Sequence, residues 1–307
     1  MSSVLTTSQP HPLQPLTSRP NSAPSPAWWD ERAPGGRIRS LLFLGHPGPS
    51  VLVTVVFVAL AALAERGAPD ATRILQLVGT MLPIQLCIGV INDVVDLPAD
   101  AVAQPYKPLV RGVVRRSTAA WIGVVLGAIG LASAATINLG TLGLGAAALA
   151  AGLSYDLGLR RTVLSWVPWW AGMAVLPLAS YASAGAIPSR LLVLIPLSAL
   201  FAIGLQVANA LPDIHTDRAA GVQSLPVRVG RNASRWVAPA AVGAAGVLAA
   251  ALAGPLHQIG VLFFGGIAVL GCGVVAVVAT RARRPFPILA IATAVFAVTW
   301  LGSLPTS

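Results

Sequence analysis

The sequence predicts an all-α integral membrane protein: a nine-transmembrane-helix bundle with Asp-rich helix ends and loops on its cytoplasmic side. Three observations predict it. Of 307 residues, 55% are hydrophobic and only 10% charged, against about 25% charged in a soluble domain. Nine apolar stretches each approach the ~20 residues that a spanning helix needs. The basic residues sit in the short gaps between those stretches, where they act as topology signals.

Residues 1 to about 36 are rich in Pro, Ser and Thr and carry no apolar run. They lack the apolar core of a signal peptide and are expected to form a disordered cytoplasmic tail. The membrane domain is expected over residues 37–307, with spans at 49–64, 74–92, 118–136, 138–154, 164–183, 191–209, 235–253, 258–279 and 286–303. The first two flank a short outer loop with Glu65, Arg66, Asp70 and Arg73. The second ends in acids, and Lys107, Arg111, Arg115 and Arg116 lead into the third. The fourth and fifth are separated by Arg160 and Arg161, and the sixth and seventh by a second acidic stretch. Lipid tolerates only helices or closed barrels, and these runs are too long for barrel strands.

With the N-terminus inside, seventeen basic residues face the cytoplasm and three, Arg66, Arg73 and Arg190, face outward. That bias fixes the inner face and supports the count of spans. The net charge of +10 is therefore a topology pattern, and no nucleic-acid partner is expected. Cys87 and Cys272 lie within apolar runs, far from any metal-ligand spacing, and imply no disulfide.

Six of the ten acids gather at three cytoplasmic ends: Asp93, Asp96 and Asp100; Asp156; Asp213 and Asp217. An acid at membrane depth costs roughly 2.5–3.5 kcal/mol, and clustered carboxylates repel, so such a set needs a compensating Arg or divalent ion. The first set reads Asn92-Asp93-x-x-Asp96-x-x-x-Asp100 and the second Asn209-x-x-x-Asp213-x-x-x-Asp217. Each contains Asn, Asp and Asp at i, i+4 and i+8, within about 80° of one helix face. Pro98 and Pro212 are expected to break or kink the helices there, so that Asp100 comes from a loop. Two carboxylate faces opposed across a bundle suit Mg²⁺ that completes its shell with phosphate oxygens. Lys107, Arg111, Arg160 and Arg228 follow the acids and could grip a diphosphate; they could equally set topology and meet lipid headgroups.

These residues resemble a known family. NDVVDLPAD at 92–100 is similar to the NDxxDxxxD signature of the UbiA superfamily of intramembrane prenyltransferases, and PYKPLVRG at 105–112 to its PxRPxxSG segment. DIHTDRAAGVQSLPVRVG at 213–230 resembles its second motif, and YDLGLRR at 155–161 its short Tyr- and Lys/Arg-containing loop. The resemblance covers about residues 40–303. It implies that Asn92, Asp93, Asp96, Asp100, Asp213 and Asp217 coordinate Mg²⁺ on the diphosphate, with Asp93, Asp96, Asp213 and Asp217 essential to catalysis. It implies that Lys107 contacts phosphate, and that Tyr155, Arg160 and Asn209 border the site. Lys107 replaces an Arg of the family pattern and loses its bidentate geometry. Val110 and Arg111 replace its Pro-Ser pair, and His215 and Thr216 stand where many members carry an acid and a Gly.

The implied reaction is Mg²⁺-dependent transfer of a prenyl group from a prenyl diphosphate to a small-molecule acceptor within the bilayer. Family breadth favours an aromatic acceptor, with a non-aromatic alcohol (tetrapyrrole or glycerol phosphate) or terpene cyclisation as alternatives. No protein partner is expected. A cation-coupled transporter is the competing class, but it would place its acids near the bilayer midplane on broken helices. Asp156 is a candidate acceptor base or a salt-bridged loop acid; His46 is an interface residue or an acceptor contact.

Overall fold

The computed structural model describes residues 43–252, 271, 278 and 285–303. The expected tail and the expected span at 258–279 lie outside the described residues, apart from Gly271 and Val278. Those described form helices and no strands. They are α1 (Pro47–Glu65), α2 (Ala71–Ala103), α3 (Arg116–Ile137), α4 (Leu139–Leu157) and α5 (Val167–Ser183). After them come α6 (Leu194–Ala210), the short α7 (Ile214–Ala219) and α8 (Leu225–Val229), α9 (Arg231–Leu252) and α10 (Phe286–Ser303). Single 3₁₀ turns at Leu159–Arg161 and Ser189–Val193 lead into α5 and α6.

By length and composition four of the described segments can cross a membrane: Pro47–Glu65, Ala71–Val102, Arg116–Ile137 and Leu191–Ala210. α10 is a shorter apolar helix. Several apolar helices of this kind make a multi-pass membrane protein.

The main core joins α1, α5, α6, α9 and α10 through Leu60, Leu178, Phe201, Val242 and Trp300, all buried. A second cluster of Phe57, Leu77, Met81 and Ala179 ties α1, α2 and α5 together nearer the other end of α2. α3 lies close along α2 because its packing face is small. A Cβ on Gly130 would stand 2.9 Å from the Thr80 carbonyl oxygen, nearer than real side chains come. A third cluster joins Leu44, Val90, Val94, Leu109 and Ala119. It fastens the turn before α1 and the 104–115 loop to the acidic end of α2, and so builds the floor of the site.

Two expectations are corrected here. Pro98 does not end its helix: α2 runs through it to Ala103, so Asp100 is helical. Proline removes one backbone hydrogen bond and crowds the preceding turn, but Lys107 bonds both Asp93 and Asp100, clamping the helix on either side of Pro98. In the second segment the helix does break at Pro212 as expected, so the one face suggested by the spacing of Asn209, Asp213 and Asp217 is not formed. α6 stops at Ala210, Pro212 sits in the following turn, and Asp217 belongs to α7.

Candidate functional site

α2 delivers the first acidic segment. Asp93 is 3% exposed and receives three donors from outside its own helix. Lys107 Nζ lies 2.8 Å from Oδ1, His46 Nε2 is 3.2 Å from the same oxygen, and the Gly45 amide donates to Oδ2 at 3.4 Å. The 43–46 turn comes this close because Gly89 on α2 has no side chain; a Cβ there would fall 2.2 Å from the Gly45 oxygen. His46 sits in the left-handed region at φ 56°, unfavourable for a residue with a Cβ, and its imidazole is turned onto the acid. The same Lys107 ammonium is 2.7 Å from Asp100 Oδ2, while Gln104 Nε2 donates to Asp100 Oδ1 at 3.2 Å. Burial alone would lower the proton affinity of Lys107, but the charges and hydrogen bonds of Asp93 and Asp100 reverse that and hold its pKa above the ordinary lysine value.

Asp96, one turn further along α2, is held by both guanidinium nitrogens of Arg160. Arg160 stands on the 3₁₀ turn after α4, and its hydrogen bonds to Asp96 raise its already high pKa. Asn92 donates through Nδ2 to Asp156 Oδ1 at 2.9 Å. Asp156, at the end of α4, is 3% exposed, and its Oδ2 has no hydrogen-bond partner.

The second acidic segment docks on the Arg160 turn. The Gln223 amide donates to the Arg161 carbonyl at 2.9 Å, and the Leu225 amide to Ser165 Oγ at 3.3 Å. Asp217 then feels charges from both segments. Burial raises its pKa first, the Asp213 and Asp96 charges raise it further, and Arg160 partly offsets them. Behind the turn, Tyr155 meets Trp169 edge to face with ring centres 6.0 Å apart, and Trp169 meets Phe286 in the same way at 5.8 Å.

The fold therefore brings together Asn92, Asp93, Asp96, Asp100, Lys107, Tyr155, Asp156, Arg160 and Asp217 from α2, α4, α7 and two loops, with Asp213 beside Asp217. Arg111, Asn209 and Arg228 are exposed on the flanking segments. Sequence reasoning missed the engagement of Gly45 and His46 with Asp93 and the hydrogen bond between Asn92 and Asp156. Neither leaves a local pattern, since the partners are 48 and 64 residues apart.

Among the described residues no three acid, histidine or cysteine groups converge into a metal cage. The donor chemistry nonetheless suits a hard cation. The groups are carboxylates and an amide, Asp217 carries a charge that its acidic neighbours oppose, and Asp156 keeps a buried, unpartnered oxygen. Mg²⁺ takes few carboxylates and fills its shell from a bound phosphate, so a preformed cage is not required.

A family model described as the UbiA prenyltransferase family matches residues 51–298. Chlorophyll synthase from Arabidopsis thaliana is 29% identical over 50% of this chain and 42% of its own length. Digeranylgeranylglyceryl phosphate synthase from Thermococcus gammatolerans is 29% identical over 70% of this chain and 78% of its own. The matches to the chlorophyll synthases span half of those proteins or less. Among solved structures, a UbiA homolog from Archaeoglobus fulgidus bound to GPP and Mg²⁺ superposes with a TM-score of 0.68. It is 16% identical over 86% of this chain and 98% of its own. A homolog from Aeropyrum pernix, in its apo form, gives 0.66 at 21% identity over 80% and 95%.

Proposed function

Because this chain belongs to the UbiA prenyltransferase family, we propose that it transfers a prenyl group from an allylic diphosphate to an oxygen-bearing acceptor inside the bilayer, with Mg²⁺ at its acidic end. The observation that carries this reading is the meeting of the two acidic segments around Arg160, on one end of the bundle. A bare diphosphate would meet the carboxylates of both segments there, and ionised Asp217 already feels the opposing charges of Asp213 and Asp96. A diphosphate that arrives with a divalent ion relieves the repulsion instead of adding to it.

Asn92, Asp96, Asp213 and Asp217 are the groups that would hold the ion, and the exposed Arg111 and Arg228 would meet the outer phosphate with Arg160. Held by these residues, Mg²⁺ would supply the positive charge that offsets the charge developing on the leaving diphosphate. The chain's own residues do the rest. Arg160 orients the anion, Asp156 holds the Asn92 amide, and the apolar bundle keeps water from the allylic cation. The prenyl tail lies along that apolar interior. Burying ~15 carbons at about 0.8 kcal/mol each sets a ceiling near 12 kcal/mol before entropy is counted. The tail supplies affinity and the acidic end supplies chemistry.

The aromatic acceptor expected from family breadth gains no support from the matched relatives. Two kinds of name recur among them, and one, digeranylgeranylglyceryl phosphate synthase, belongs to proteins matched along most of their length. An alcohol acceptor of the glycerol phosphate type is the better reading. The active-site end faces the cytoplasm on the basic-residue bias. The test is a mass-spectrometric screen of purified protein with several prenyl diphosphates against pooled aromatic and alcohol acceptors. An Asp96→Asn control should insert normally and lose roughly 10²-fold or more in turnover. Near-normal activity in that control, or Mg²⁺-independent turnover, rules the mechanism out.

A further inference from the structure

The resemblance implies that Lys107 contacts phosphate and that Asp93 and Asp100 ligate metal, but the geometry around these three residues does not favour either role. The Lys107 ammonium lies 2.8 Å from one carboxylate and 2.7 Å from the other, so a second cation has no room between them. Asp96 is paired too, but with Arg160 alone and at a more open 16% exposure, whereas Asp93 and Asp100 are held by the lysine and by further donors. Asp93 takes Gly45 and His46 besides Lys107, and Asp100 takes Gln104. All three side chains are buried, at 10%, 3% and 7% exposure.

The lysine is also fixed at its backbone. Its amide donates to the Gln104 carbonyl at 3.0 Å and its carbonyl accepts from Arg111 at 3.0 Å. Two residues along, Leu109 is buried against Leu44, Val90 and Val94. Swinging the ammonium out to a ligand would leave two buried carboxylates unbalanced. The lysine head meets both carboxylates as a compact point charge; an arginine would supply the same charge through a planar fork.

We propose that Lys107 is a resident cation, which balances Asp93 and Asp100 in place of a divalent ion and stays there when diphosphate binds. It is thus a positioning residue: it holds the end of α2 straight across Pro98 and sets Asn92 and Asp96 toward the second acidic segment. This rests on the prenyl-transfer reading above, and it removes Asp93 and Asp100 from the metal-ligand set.

The experiment counts protein-bound Mn²⁺ by electron paramagnetic resonance in the full-length chain with geranyl thiolodiphosphate, which resists ionisation. Lys107→Met should bind one more Mn²⁺ than wild type, because the vacated pair of acids accepts an ion. Lys107→Arg should restore the wild-type number. Asp100→Asn, which keeps the lysine on Asp93, should bind as many ions as wild type. Loss of an ion in Asp100→Asn overturns the proposal. So does an unchanged ion count in Lys107→Met with weakened thiolodiphosphate binding, since the lysine would then be a phosphate ligand. If wild-type protein binds no Mn²⁺ with the thiolodiphosphate, the prenyl-transfer reading falls as well.

Discussion

Replacing Gly89 with alanine sets two effects of opposite sign against each other. Alanine is better than glycine inside a helix by about 1 kcal/mol, so propensity alone predicts a more stable protein. The new Cβ, however, would lie 2.2 Å from the Gly45 oxygen, 2.5 Å from its carbonyl carbon and 2.8 Å from its Cα. All three are backbone atoms, so no rotamer change relieves the clash, and the 43–46 turn must retreat by roughly 1 Å. Overpacking of this kind costs about 1–3 kcal/mol. The retreat also stretches the Gly45 amide bond to Asp93, already 3.4 Å long, and the His46 contact at 3.2 Å; losing the pair costs roughly 1 kcal/mol more. The net expectation is a destabilisation of about 1–3 kcal/mol, read as a Tm lowered by roughly 2–10 °C in a thermal scan of detergent-solubilised protein. Affinity for a prenyl thiolodiphosphate should fall with it, as the acid that anchors Lys107 loses its fixed position. A variant as stable as wild type, or more so, would refute the close approach of the turn to α2.

Two further outcomes follow from other parts of the molecule. Asp217 has a raised pKa, so in metal-free protein it contributes stability below the ordinary carboxylate value, and this is lost as pH rises through the raised one. Bound metal requires the ionised form; the Tm increase on adding Mn²⁺ should therefore grow across that window and flatten in Asp217→Asn, and a pH-independent increase would contradict the assignment. At the other end of α2, Arg73 donates to Glu65 at 2.7 Å, to Gln76 at 2.9 Å and to the Ser183 carbonyl at 2.6 Å. Arg73→Leu should destabilise by about 1–3 kcal/mol but leave kcat and KM near wild type, since some twenty residues of helix, about 30 Å, separate it from Asp93; a kcat loss beyond the stability effect would contradict that separation.

Much of the site was legible locally. An acid directly after an apolar run, as Asp93 and Asp96 are, has few uses in a membrane, and the i, i+4 spacing marks a shared helix face before any fold is known. The same spacing does not make one face at 209–217, where the chain breaks around Pro212 as that proline led us to expect. Pro98 misled, because the clamp that carries α2 past it comes from Lys107, outside the helix. His46 read as an interface residue or an acceptor contact and Asp156 as an acceptor base or a loop acid, because nothing near them in the chain announces Asp93 or Asn92.

Composition and run length by themselves determined the solvent, the helical class, most of the helix positions and the two acidic stretches, since each follows from residues within a turn or a span of one another. Which carboxylate meets which cation was decided only by tertiary structure. Lys107 on Asp93 and Asp100, Arg160 on Asp96, and the Gln223 amide on the Arg161 carbonyl all depend on how the elements carrying them pack. That packing is set by shape, such as the missing side chains at Gly89 and Gly130, and interaxial fit leaves no periodic signal in a single sequence.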